Sequence, residues 1–297
     1  EYLADLAKSM STKYRLHLEL LDKAALKRKG LGLLLGVGQG SRFEPHLIIL
    51  EYKGDPSSKE RIAIVGKGVT YDTGGLDIKL RSMKEMNTDM SGAAVVLGVI
   101  RAAAELKLKK NILAVAPVVE NAVGTKSYKP GTILDSYLGK TVEIGNTDAE
   151  GRLALADAMA YVVKNYKPSR IVDFATLTGS IVAALGEDYA GLFSTDKVAD
   201  KILEAGDYVG EKVWRMPLPD DYNELLKSKI ADLNNISSSN YGGAITAALF
   251  LKNFVGETPW THIDIAGTAR GSKRKHYWPV YGTGFGVRLM LEWLRKN

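Results

Sequence analysis

Four carboxylates stand where a chain can set charge beside a buried element. Asp72, Asp89, Asp148 and Glu150 each lie near a glycine, at an expected strand end or just before a helix. Two of them fall two positions apart in Asn146-Thr147-Asp148-Ala149-Glu150-Gly151-Arg152-Leu153, with Arg152 two positions further on. In a strand-like run, positions i, i+2 and i+4 share one face, so Asp148, Glu150 and Arg152 are expected to point into one cleft. Three charges on one face of a buried element are unfavourable unless something compensates them. A bound metal would do so; a solvated loop with an acid capping the following helix is the other reading of this octapeptide. Lys67 and Lys79 flank Asp72. Oxygen ligands suit hard or borderline divalent ions. Four carboxylates exceed what one ion needs, and a pair of ions sharing bridging carboxylates fits them better. Taken singly, Asp72 reads equally as a turn aspartate and Lys67 as a surface lysine.

The elements that must hold these residues alternate between strand and helix. Buried-strand patterns fall at 47–52, 61–66, 111–119, 141–144, 171–175 and 260–265, with a short one at 190–194. Helical patterns fall at 91–106, 152–165, 196–206, 244–254 and 286–295, with others ending at Leu185 and near 221–227. This alternation predicts an α/β three-layer sandwich, its mixed, largely parallel central sheet covered by helices on both faces. The octapeptide then lies at a strand-to-helix junction, where open α/β sheets place their ligand sites. Residues 1–29 read as a helical lead-in with a basic end at Lys27-Arg28-Lys29. The glycines between Gly30 and Gly40 mimic a phosphate loop. Pro45 and a strand-like run follow them, so no helix N-terminus is expected there for a phosphate, and they read as structural. Residues 120–130 read as loop. Residues 1–297 read as one domain, with no internal repeat or linker.

The totals exclude several classes. The chain has 297 residues, 45% of them hydrophobic, and a formal charge of +6. No run approaches the roughly 18 apolar residues of a membrane span. Cysteine is absent, which rules out a disulfide framework, a thiolate metal site and a cysteine nucleophile. The first residues resemble neither a signal peptide nor an initiator methionine, so the chain is expected to be a fragment or a processed product. The densest positive runs, Lys107 to Lys110 and Arg270-Gly271-Ser272-Lys273-Arg274-Lys275, read as solvated faces. His17 and His46 sit in peripheral context, and His262 alternates in a core strand as a structural histidine.

In combination these residues closely resemble the leucyl aminopeptidase (cytosol aminopeptidase) family of two-metal exopeptidases. Residues 146–153 are similar to that family's signature octapeptide without a mismatch. Val65-Gly66-Lys67-Gly68-Val69-Thr70, with Asp72, Gly74, Gly75 and Lys79, resembles its first metal and catalytic segment, and Asp89-Met90-Ser91-Gly92-Ala93-Ala94 its next ligand segment. Ala175-Thr176-Leu177-Thr178-Gly179 and His262-Ile263-Asp264-Ile265-Ala266-Gly267 are similar to later blocks. The resemblance covers residues 60–297 and extends to the whole chain as the family's catalytic domain.

The resemblance implies two divalent ions (zinc, manganese or magnesium). One would be held by Asp72, Asp148 and Glu150, the other by Lys67, Asp72, Asp89 and Glu150. A lysine ligates only when neutral, so Lys67 is expected to have a strongly lowered pKa, caused by the adjacent dications. Lys79 would polarise the scissile carbonyl and stabilise the oxyanion. Arg152 would hold a bicarbonate that serves as general base on the metal-bridging water. The substrate's α-amine would bind the second ion, which makes the enzyme an exopeptidase releasing N-terminal residues from peptides. The side-chain pocket would comprise Met86, Thr176, Gly179, Ala266 and Ala269, with room for leucine, methionine and other apolar side chains and only modest discrimination among them. A cytoplasmic homohexamer is also implied, with no membrane role.

Three departures accompany the match. The stretch between Lys79 and Asp89 is one residue shorter than usual, Thr132 stands where an aspartate is common, and the family's N-terminal domain is missing. A phosphoesterase is the competing enzyme reading, since acid-only metal sites allow one. The two lysines and Arg152 suit a carbonyl substrate better. A nucleic-acid accessory protein is the reading from another class. No reader motif or aromatic-interleaved basic stripe supports nucleic acid as the principal partner.

Overall fold

The computed structural model describes residues 1–271 and 277–297. In chain order the elements are α1 (Tyr2–Tyr14), β1 (His17–Leu21), α2 (Lys23–Lys29), α3 (Gly32–Val37), β2 (His46–Lys53), β3 (Ile62–Gly66), β4 (Gly68–Asp72) and α4 (Ser91–Glu105). There follow β5 (Asn111–Asn121), β6 (Ile133–Asp135), β7 (Thr141–Glu143), α5 (Glu150–Tyr166), β8 (Arg170–Ala175), α6 (Gly179–Leu185), β9 (Ala190–Ser194) and α7 (Val198–Val209). The last are β10 (Val213–Arg215), β11 (Leu233–Asn234), α8 (Gly243–Lys252), β12 (Trp260–Asp264) and α9 (Val287–Lys296).

The main sheet runs β1-β2-β5-β3-β8-β12-β9-β10, with β4 also paired to β5. β5, β3, β8 and β12 are mutually parallel, while β1–β2, β2–β5 and β12–β9 are antiparallel. The near-continuous Val, Ile, Leu and Ala runs of these strands are what a sheet buried on both faces requires. One core layer, including Leu26, Leu34, Leu153 and Phe250, brings α2, α3, α5 and α8 together. The other, including Leu3, Val96, Ile202 and Trp293, brings together α1, α4, α7 and α9. This is the three-layer α/β arrangement, with a mixed and mostly parallel sheet, that the alternation predicts.

Three local expectations are corrected. Residues 1–29 are not one helix. Arg15 adopts the left-handed conformation (φ 54°) that ends α1, and 17–21 pair along β2 as a strand, His17 opposite Glu51 and Leu21 opposite Leu47. A helix does begin within the glycine-rich stretch, since α3 starts at Gly32. The anion at its start is the chain's own: Leu33 and Leu34 donate their N–H groups to Asp157 Oδ2 at 2.8 and 3.0 Å. Residues 120–130 are not wholly loop, because β5 continues through Asn121. A small second sheet, β11-β7-β6, adds two strands that periodicity does not reveal. The 221–227 segment is helical as expected, a 3-10 helix over Asp220–Leu226. No described helix is long and apolar enough to cross a membrane. Lys107 and Lys109 are exposed, as a solvated face should be. Of the second basic run only Arg270 and Gly271 lie within the described residues.

Candidate metal centre

The site lies at the carboxyl edge of the parallel strands. Lys67 follows β3, Asp72 ends β4, Thr176 follows β8 and Ala266 lies just beyond β12. This is the edge at which open α/β sheets bind ligands. β3 and β4 are one ladder interrupted at Lys67: Val65 stands opposite Val115 and Gly68 opposite Val118 on β5. The Lys67 backbone is pinned on both sides, its N–H donating to Phe174 O (2.9 Å) and its carbonyl accepting from Ala93 N (2.8 Å) at the start of α4. The side chain then projects beneath the first turn of α5. A Cβ at Gly151 would come within 2.3 Å of Lys67 Cε, so only glycine allows this close approach.

Ligand-type oxygens of Asp72, Asp89 and Glu150, all three buried, lie within 4.8 Å of one another. Lys67 Nζ is 2.7 Å from Asp89 Oδ1 and 2.9 Å from Glu150 Oε1, and donates to Thr176 O at 3.0 Å. Thr176 Oγ1 also donates to Asp89 Oδ1 at 2.7 Å. Lys79 Nζ bridges the next pair, 2.8 Å from Asp72 Oδ2 and 2.5 Å from Asp148 Oδ1. Asp89 Oδ2 and Glu150 Oε2 are buried with no hydrogen-bond partner among the described residues. Buried carboxylate oxygens left unpaired are costly, and a divalent ion is the partner that a cluster of hard oxygens accepts best. The donor set therefore fits a metal.

The electrostatics follow from this crowding. Burial, then the Asp72 charge, pushes Asp148 up to about 7 against the pull of Lys79. Burial likewise raises Glu150, and raises Asp89 well above the usual carboxylate range. Asp72 goes the other way: burial is outweighed by Lys67 and Lys79, with help from the Gly74 N–H. Burial alone would lower Lys67, yet Asp89, Glu150 and Asp72 hold it far above the ordinary lysine value. The lowering expected from the sequence needs dications; the acids alone do the reverse. Four carboxylates outnumber the two lysines, and a further cation would bring the three raised acids back toward their ionised form.

These groups open into a cleft of about 1080 Å³. Lys67, Asp72, Lys79, Asp89, Asp148 and Glu150 line its floor, and Met86, Thr176, Gly179, Ala266 and Ala269 all line its walls. Leu177, Val182 and Ala183 add apolar wall, while Glu85 and Arg270, paired at 2.6 Å, close one side.

Residues 1–291 match the cytosol aminopeptidase family, catalytic domain. The chain belongs to that family. It is 50% identical over its whole length to a "Probable cytosol aminopeptidase" of Protochlamydia amoebophila, 60% of which it covers. It is 47% identical, again over its whole length and 60% of the relative, to a protein of that name from Chlamydia trachomatis serovar D. A third, from Cenarchaeum symbiosum, is 48% identical over 97% of this chain and 60% of its own. The chain thus spans about 60% of the length of these curated relatives.

Within this cytosol aminopeptidase domain, one geometric expectation is corrected. Asp148 and Glu150 reach the cleft, but Arg152 is not among its lining residues. Glu150 and Arg152 belong to the first turn of α5, not to a strand. Two helical positions differ by about 200° around the axis, so they cannot share a face. Arg152 is buried, and its Nη1 donates to Asn235 O at 2.8 Å. Burial brings its guanidinium down to about 10 against the pull of Glu150 and Asp264. Its Nε has no partner among the described residues.

Sequence reasoning misses the residues that hold the frame. Asn235 is fully buried; its Oδ1 accepts from Gly145 N (2.8 Å) and Asn146 N (3.2 Å), and its Nδ2 donates to Asn146 O (2.7 Å). Asp77 Oδ2 accepts from Thr147 N at 2.8 Å. Asp264 accepts from Leu177 N (3.0 Å) and Thr178 Oγ1 (2.7 Å), which fixes the wall after β8. In the sequence Asp264 is visible only as part of a matching block. Asn235 sits in a polar loop with nothing to mark it. Thr132, the departure from the family pattern, accepts from Lys129 N at 3.2 Å through its hydroxyl, a local turn contact.

Proposed function

We propose that this chain is the catalytic part of a metal-dependent aminopeptidase that releases N-terminal residues from peptides, preferably leucine, methionine or other apolar residues. The observation that carries the reading is the convergence of buried Asp72, Asp89 and Glu150 on Lys67, with unpaired carboxylate oxygens, at the floor of an apolar-walled cleft. Two divalent ions (zinc, manganese or magnesium), one on Asp72, Asp148 and Glu150 and one on Lys67, Asp72, Asp89 and Glu150, would supply Lewis acidity and a seat for the free α-amine. Lys79, lining the same cleft, would donate to the scissile carbonyl oxygen and hold the charge that develops there. Met86, Thr176, Gly179, Ala266 and Ala269 would receive the side chain of the first residue. Weak discrimination among apolar side chains is expected of such a wall.

No histidine lines the cleft among the described residues, and the family resemblance implies a borrowed base. By that resemblance Arg152, which does not itself line the cleft, would hold a bicarbonate as that base. The buried guanidinium with an unpartnered Nε supports an anion beside it. By the same family resemblance the working form is a cytoplasmic homohexamer acting on peptides, with neither membrane nor nucleic acid as principal partner.

The test is hydrolysis of leucine p-nitroanilide by chelator-treated protein before and after manganese is restored. Activity should vanish with chelation and return with metal, while p-nitrophenyl phosphate stays uncleaved. Phosphatase activity in place of amidase activity would sink the reading.

A further inference from the structure

Asn121, the last residue of β5, is fully buried and bonds to two segments at once. Its carbonyl accepts from Thr73 N and from Thr73 Oγ1, both at 2.9 Å. Its Nδ2 donates to Asp72 Oδ1 at 2.8 Å and to Thr147 O, inside the octapeptide, at 3.0 Å. Both acceptors are oxygens, so the amide has only one workable orientation. Its Oδ1 is left with no partner and faces Gly75, where an added Cβ would stand 3.0 Å from it. A buried carbonyl oxygen kept unsatisfied calls for an explanation, and the two donated bonds provide one. Gly74 N also donates to Asp72 Oδ1, at 2.9 Å. Two donors therefore occupy that oxygen and leave Oδ2 turned to Lys79.

We propose, building on the metallopeptidase reading, that Asn121 is a positioning residue for the metal centre. It selects which Asp72 oxygen faces the cleft and sets the separation between Asp72 and the turn that carries Asp148 and Glu150. A strand end paired into the sheet is a rigid place from which to do this.

The experiment is manganese titration of chelator-stripped protein by calorimetry, with thermal unfolding of the same stripped samples. Asn121→Ala and Asn121→Ser should bind manganese about 10- to 100-fold more weakly than wild type, as loss of a partner to a ligating carboxylate does, and both should still melt cooperatively. Wild-type protein that takes up no manganese would remove the metal reading itself. Wild-type binding with unchanged affinity in both variants would overturn the role of Asn121 alone. Failure of both stripped variants to fold would also overturn it, because the residue would then serve the fold rather than the centre.

Discussion

The two oxygens of Glu150 have different company. Oε1 takes the Lys67 ammonium at 2.9 Å, and Oε2 is buried with no partner among the described residues. Glu150→Gln keeps the shape and removes the charge. Since a catalytic ion supplies several kcal/mol to the transition state, turnover of leucine p-nitroanilide should fall at least about 100-fold, together with the metal content per chain. A fully metallated, active variant would remove Glu150 from the ligand set. At this scale the sequence is most legible where charge and glycine coincide. Lys67, Asp72, Lys79, Asp89, Asp148 and Glu150 all line one cleft. It misleads at Arg152, because a strand period does not apply to what is the first turn of a helix. It is silent on Asn121 and Asn235. A lone buried amide has no pattern, and the groups it holds lie 26 and 89 positions away along the chain.

Elements are legible in proportion to their length. Long apolar runs such as β5 and α4 show their period, whereas β6 and β11 offer three and two residues, too few for any period to emerge. The lead-in misleads because apolar positions spaced through 16–21 suit an edge strand as well as a helix. Glycines 30–40 conceal α3 for a different reason: its start depends on Asp157, far away in α5. That carboxylate accepts from Leu33 N, Leu34 N and, at 2.7 Å, Tyr137 N. Asp157→Ala strands three backbone donors, two of them buried, and about 3 kcal/mol of stability should be lost, read as the urea unfolding free energy of stripped protein. A loss below about 0.5 kcal/mol, the range of ordinary surface changes, would show that α3 needs no such cap.

For the molecule as a whole, the alternation of strand and helix leaves little freedom in fold class, since parallel strands need crossovers and both faces then need cover. One internal pair should leave a mark on global stability. His262 is fully buried in β12, stacked between Phe193 and Trp260, with Nδ1 2.7 Å from Asp173 Oδ1. Burial and Arg152 work to lower its pKa, but Asp173 and Asp264 outweigh them and raise it above 6.5. The folded state therefore holds the proton more tightly than the unfolded chain. This contribution is complete below about pH 6.5 and is lost as pH rises through the raised value. Unfolding free energies of stripped protein should decline as pH rises above about 6.5, and less steeply in His262→Gln; equal slopes would assign the decline to other groups. Sheet order has a further consequence, in the time domain. Lys67 follows a strand whose two neighbours are distant in sequence, Val65 lying opposite Val115 and Ile62 opposite Arg170. Non-local pairings of this kind form slowly, because loop closure precedes any gain from contact. The acidic cluster is thus complete only once β3 is seated between β5 and β8, so ion uptake reports that non-local pairing rather than the local structure that precedes it.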